Sequence, residues 1–130
     1  MITLKAKGVL ERMKFVFAPV AGKNRGSIAY SIARSYIPND ARIENLFFPM
    51  NHDRAERARA WEASARSIAR VLETGEDAAF ITLGDPMTYS TYGYLLKKMD
   101  VLYPLIQKVT IPGIPAYLAG AASANLSLAQ

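Results

Sequence analysis

The side chain best placed for chemistry is an aspartate at the tip of an apolar run. Phe80-Ile81-Thr82-Leu83 stops at Gly84-Asp85-Pro86, and Met87-Thr88-Tyr89-Ser90-Thr91 restarts it as a hydroxyl-rich segment. A strand, a tight turn and a helix start in that order are how open α/β sheets present a ligand at the carboxyl end of a strand. Gly84 carries no Cβ, so a ligand can approach its backbone closely. Pro86 fixes φ and removes a donor, which stiffens the turn. Asp85 sets a carboxylate where a ligand hydroxyl or ammonium could meet it. A second Gly/Pro turn, Pro112-Gly113-Ile114-Pro115, follows another short apolar stretch and opens another helix. In a parallel sheet the two turns share one edge, where together they form a crevice lined by backbone amides and carbonyls.

Other chemistry is thin. Residues 22–27 place Lys23, Arg25 and several amides ahead of a helix, an arrangement that favours anions but also describes a solvated basic loop. His52 is the only histidine and precedes a helix, which reads as a surface or capping residue. With one histidine, no cysteine and no patterned carboxylates, no metal site is expected. No nucleophile–base set can be read, so a catalytic residue stays unassigned. Neither a Gly-x-Gly-x-x-Gly fingerprint nor a Gly-Lys-Ser/Thr loop is present. Tyr89, Tyr92 and Tyr94 could stack on a flat ligand, but their spacing on a helix sends at least one into the core.

The elements that must position these turns alternate. A helix capped by Thr3 carries Leu4, Ala6, Val9, Leu10 and Met13. Residues 15–18 read as a buried strand ended by Pro19. Ser27 opens a helix with Ile28, Ile32, Ser35 and Tyr36 on one side, stopped by Pro38. Residues 43–48 form a second strand, and Asp53 with Glu56 starts the longest helix. Its buried stripe is Ala58, Trp61, Ala65, Ile68 and Leu72, and Gly75 marks its stop. The arginines at 54, 57, 59, 66 and 70 lie mostly off that stripe, interleaved with Glu56, Glu62 and Glu73, which reads as a solvated face more than a nucleic-acid surface. Residues 78–83 make a third strand, 88–98 a helix, 108–111 a fourth strand and 116–124 a small-residue helix. This is an α/β fold with a mostly parallel sheet and helices on both faces.

Its 130 residues are one domain's worth of chain. No apolar run approaches the length of a membrane span, and no secretory leader is apparent. The lack of cysteine fits a reducing cytoplasm. A net charge of +5 suits an anionic partner (nucleic acid, membrane surface or small polyacid), and is equally an ordinary solubility setting. The chain opens inside a helix, without the strand that a βα fold usually begins with, and stops soon after its last helix. The expectation is a piece of a longer protein.

Leu83-Gly84-Asp85-Pro86 with Tyr89-Ser90-Thr91, then Ile111-Pro112-Gly113-Ile114-Pro115-Ala116, resembles the tetrapyrrole methylase family, most of all its precorrin-2 C20-methyltransferase branch. Ile2-Thr3-Leu4-Lys5-Ala6 and Phe17-Ala18-Pro19 fit the same branch, so the resemblance spans nearly the whole chain. It implies a homodimeric enzyme of cobalamin and sirohaem synthesis. That enzyme would use S-adenosylmethionine as methyl donor and an anionic tetrapyrrole as substrate, with no nucleic acid or membrane partner. The family has two α/β domains with the donor in the cleft between them. Residues 1–130 correspond to the N-terminal domain, cut at both ends: the first strand and its Gly-rich loop, and the second domain, lie outside them. By the same resemblance, Leu83, Gly84 and Asp85 hold the donor, Thr88 and Ser90 line its pocket, and Pro115 and Ala116 contact it from the next loop. Position 115 carries proline where the family's usual residue is Thr or Ser. Lys23 and Arg25 fit steering of a polycarboxylate substrate. Two other readings stay open: a methylase of the same fold acting on RNA or protein, and a non-enzymatic interaction domain.

Overall fold

A computed structural model describes residues 1–22 and 24–130. Three local caps start helices where the sequence places them. The Thr3 hydroxyl accepts from the Ala6 amide at 3.2 Å and opens α1 (Leu4–Leu10). The Ser27 hydroxyl accepts from the Tyr30 amide at 3.3 Å and opens α2 (Ile28–Ala33), which tightens into a 3-10 turn over Arg34–Tyr36. The Asp53 carboxylate accepts from the amides of Ala55 and Glu56 at 2.9 and 3.0 Å and opens α3 (Arg54–Leu72). These bonds, the Glu56 amide first, hold the Asp53 carboxyl below its usual range. Glu56 does not close the box by reaching back to the Asp53 amide. Its carboxylate takes the Asn51 side-chain amide, and Asn51 in turn accepts from the Asp53 N–H.

The sheet is parallel, with strand order β2-β1-β3, where β1 is Phe15–Val20, β2 is Arg42–Phe47 and β3 is Ala79–Phe80. Successive β1 residues feed opposite faces. Val16 and Ala18 join Leu10, Ala29, Ala33, Ile37 and Ile81 in one buried cluster under α1 and α2. Phe17 joins Leu46, Phe48, Ala65 and Ile68 with Leu95 and Met99 from α4 (Tyr92–Leu102) in the other. A strand buried on both faces has no polar side to show, which is why Phe-Val-Phe-Ala runs apolar without alternation. The edge strand β2 instead exposes Arg42, Glu44 and Asn45, charged and polar cover for an open edge.

Five expectations are corrected. Pro19 does not end β1, because its register against Leu46 continues to Val20–Phe47. It ends the pairing on the other side. Ile81 donates to the Phe17 carbonyl at 3.0 Å, and the next rung would need an N–H from residue 19, which proline lacks. The third strand is therefore two residues long instead of 78–83, and the chain leaves β1 after Ile81. Residues 108–111 form no ladder and are not a strand among the described residues. The buried face of α2 is Ala29 and Ala33, at 6% and 5% exposure, whereas Ile28 and Ile32 stand 65% and 45% exposed. Those alanines pack with Val16 and Ala18 of β1. Finally, α4 begins at Tyr92, four residues after the expected start, and runs on to Leu102. The helix α5 (Ala116–Ser123) and the positive φ of Gly75 after α3 agree with the sequence reading.

Burial sets a stability contrast. Leu95→Ala empties a site that is 2% exposed and is expected to cost about 2–5 kcal/mol in chemical denaturation. Ile32→Ser, by contrast, is expected to shift stability by no more than about 0.5 kcal/mol. A large loss at Ile32 would contradict the assigned face of α2.

Candidate functional site

Where β3 parts from β1, the turn 82–91 and the segment 110–116 meet. The contact is backbone on backbone. Gly84 has φ +65°, a left-handed conformation that only glycine adopts without strain. A Cβ built on Gly113 would overlap the Gly84 carbonyl oxygen and crowd Asp85, so glycine is required at 113 as well. Asp85 locks the contact. One carboxylate oxygen accepts from the Gly113 amide at 3.0 Å, and the other accepts from the Met87 amide at 3.1 Å and the Thr88 hydroxyl at 2.9 Å. The Gly113 amide is the chief reason that the Asp85 carboxyl sits below its usual range, with the Thr88 hydroxyl next.

The same carboxylate explains the late start of α4. Its bonds to Met87 and Thr88, with the Thr88 amide on the Asp85 carbonyl at 3.2 Å, wind residues 85–88 into a separate turn. Ser90 then serves twice. Its hydroxyl meets the Thr82 hydroxyl at 3.1 Å and accepts from the amide of Tyr92, the first residue of the helix, at 3.1 Å. The Tyr92 hydroxyl reaches the Thr110 hydroxyl at 3.0 Å, and its ring lies 5.9 Å from that of Phe80. The segment 108–113 is thus held by side-chain bonds from Tyr92 and Asp85 instead of by a strand ladder.

Beside these turns opens a cavity of about 930 Å³. Leu83, Gly84 and Ala116 line it, with Gly113, Ile114 and Ala119. Of the other sequence candidates, Asp85, Thr88 and Ser90 tie the turns together from behind the lining. Pro115 is buried, and it forms the extended cap residue before α5. Arg25 is exposed in the loop after β1, on the same carboxyl edge. Lys23 lies outside the described residues. His52 is exposed. Sequence reading missed Thr82, Tyr92 and Thr110 as locking residues, since their partners are 8 and 18 positions away and no local signal marks them.

Titration of Asp85 should govern the lock. Its lowered pKa means the contribution is complete above the ordinary carboxylate range and is lost as the pH falls through the still lower folded value. Amide exchange at Gly113 is expected to stay slow down to that point and then accelerate. In Asp85→Asn it should be fast at neutral pH, and Gly113→Ala should disorder both turns. Slow Gly113 exchange in the Asn variant would contradict the lock.

With the geometry in place, comparison with known proteins is informative. The family model for tetrapyrrole (corrin/porphyrin) methylases matches residues 1–130. A protein of Methanocaldococcus jannaschii named "probable cobalt-precorrin-2 C(20)-methyltransferase" is 36% identical over 133 residues, covering 100% of this chain and 54% of that protein. The cobalt-precorrin-2 C(20)-methyltransferase of Salmonella typhimurium is 33% identical over 129 residues, covering 99% of this chain and 53% of the relative. The chain spans about half the length of these curated relatives. Among solved structures, a cobalamin synthesis related protein (CobF) from Corynebacterium diphtheriae superposes with a TM-score of 0.72 at 23% identity, over 99% of this chain and 54% of that one. The cobalt precorrin-4 methyltransferase CbiF gives 0.66 at 18% identity, over 99% and 46%. At such identities these two superpositions speak for the fold, while the family match over the whole chain speaks for descent. The chain belongs to the tetrapyrrole methylase family.

Proposed function

We propose that these residues form the donor-binding half of an S-adenosylmethionine-dependent methyltransferase that acts on C20 of a precorrin-2-type tetrapyrrole, cobalt-free or cobalt-bound, in cobalamin synthesis. The observation that carries the reading is the Gly84–Gly113 contact in the lining of the cavity, together with two matches, over all or nearly all of this chain and about half of each relative, to proteins named for that reaction. The cavity suits the donor chemically: at the two turns its wall is Leu83, Gly84, Gly113, Ile114 and Ala116, small or apolar residues with backbone groups exposed, while Thr82, Thr110, Gln107, Lys108 and Asp77 add polar side chains elsewhere in the lining. Leu83, Gly84 and Ala116 would hold the donor directly. Asp85, Thr88, Ser90 and Pro115 would fix the loops that carry them.

S-adenosylmethionine, when bound, supplies an activated methyl group on a sulfonium. Transfer from it is an in-line displacement with a neutral leaving group, so the protein's task is alignment more than acid–base chemistry. Turns that are locked before any ligand arrives fit that task, because they need no reorganisation on binding. The exposed Arg25, with Lys23 near it in sequence, would attract a polycarboxylate.

We place residues 1–130 as the N-terminal of two α/β domains in a homodimeric cytoplasmic protein, with the family resemblance and the half-length coverage as support. No helix among the described residues is long and apolar enough to cross a membrane.

Calorimetric titration of the full gene product with S-adenosylhomocysteine tests this reading. Saturable one-site binding is expected, and the absence of heat would favour a non-enzymatic interaction domain. Residues 1–130 alone, given labelled donor and precorrin-2, are expected to yield no methylated product. Arg25→Glu in the full product should weaken apparent tetrapyrrole affinity and flatten its salt dependence, leaving S-adenosylhomocysteine binding unchanged. Unaltered tetrapyrrole affinity would remove Arg25 from the steering role.

A further inference from the structure

We infer that Tyr89 is a stacking platform for the flat face of the anionic tetrapyrrole, an inference that rests on the function proposed above. Three tyrosines follow the Asp85 turn, and the fold commits two of them. Tyr92 packs against Phe80 and bonds to Thr110. Tyr94 stacks on Trp61 with ring centroids 4.4 Å apart and planes 2° from parallel, joining α4 to α3. Tyr89 makes neither a ring contact nor a side-chain hydrogen bond among the described residues, and it is fully exposed.

Its backbone is also strained. Tyr89 has φ +50°, a left-handed conformation that costs a side-chain-bearing residue free energy and that Gly or Asn tolerates far better. Both neighbouring pieces of chain are fixed, by Asp85 on Met87 and Thr88 and by Thr82 on Ser90. The turn therefore holds a large aromatic ring in water, in a conformation that would be easier without it. Such strain gathers at functional positions. Nearby in sequence, Leu83 and Met87 are 49% and 61% exposed, so the ring belongs to an apolar turn.

Charge identifies the occupant. The strands are parallel, so the segments after β1, β2 and β3 share the carboxyl edge. They bring Arg25, Arg54 and Arg57 to the edge that carries Tyr89. None of these arginines is in an ion pair among the described residues, and the buried Nε of Arg57 lacks a hydrogen-bond partner. The acids at that edge are already engaged: Asp53 by the amides of α3, Glu56 by Asn51, and Asp85 by three donors. An exposed ring on an edge of unpaired arginines fits a planar polycarboxylate, with its face on the ring and its carboxylates towards the guanidinium groups.

The test uses the full gene product and uroporphyrin, a planar octacarboxylate, as probe. It combines titration by porphyrin fluorescence with thermal melts of the wild type, Tyr89→Phe and Tyr89→Asn. The wild type should bind, and Tyr89→Phe should bind within about threefold of it. Tyr89→Asn should bind about tenfold more weakly or worse while melting at a higher temperature, because the strain is relieved. A residue that only supports the fold would lower the melting temperature instead. Wild-type affinity in Tyr89→Asn, or no porphyrin binding by the wild type, would overturn the inference. S-adenosylhomocysteine titration of the same variants separates the two claims. Donor binding should be unchanged in Tyr89→Asn, and its absence in the wild type would count against the proposed function alone.

Discussion

The site depends on two glycines placed backbone against backbone. Gly84 and Gly113 come so close that a single methyl group on the second would displace the first. Asp85 keeps them there through one bond across to Gly113 and two within its own turn. A carboxylate serves this purpose better than an amide or hydroxyl. It offers acceptors only, on two oxygens, and all three of its partners donate. The cavity wall at the two turns and the turn that delays α4 rest on that contact and its carboxylate, and Tyr92 with Thr110 adds a second tie to the segment before Gly113.

The opening above it has a separate cause in Pro19. A central strand normally pairs along its length on both sides. Here the missing N–H ends the pairing with β3 after one rung past Phe80, while pairing with β2 runs on to Val20. The strands separate at their carboxyl ends, where a parallel sheet presents ligands. One residue thus completes one side of the sheet and opens the other. The chain gains a crevice without a long loop and keeps both faces of β1 buried.

Much of this was legible because it is local. The caps at Thr3, Ser27 and Asp53, the stop at Gly75 and the buried run over residues 15–18 are each set by residues within a few positions. The Gly-Asp-Pro and Pro-Gly-Ile turns were also visible, as was their meeting, although the fourth strand expected to carry the second turn is absent among the described residues. What stayed hidden acts through space. The bond from Asp85 to Gly113 spans 28 positions, so the sequence suggested a carboxylate facing a ligand where the structure shows one that joins two loops. Pro19 looked like a strand end because its effect falls on one neighbour only. The exposed Ile28 and Ile32 misled because hydrophobicity ranks them above the alanines, while the face of α2 that meets Val16 and Ala18 of β1 carries Ala29 and Ala33.

Under the proposed function, methyl transfer asks for alignment, and the preset turns would contribute to it. That is consistent with a site whose polar side chains are mostly bonded to one another before a ligand arrives. The central claim is that the Gly84–Gly113 wall receives the methyl donor with its lock intact. A crystal structure of the full gene product with S-adenosylhomocysteine tests it most directly. The ligand is expected in the cavity against Leu83, Gly84 and Ala116, with the Gly113 amide still on the Asp85 carboxylate. A ligand bound elsewhere, or a Gly113 amide released from Asp85 to reach the ligand, would contradict it.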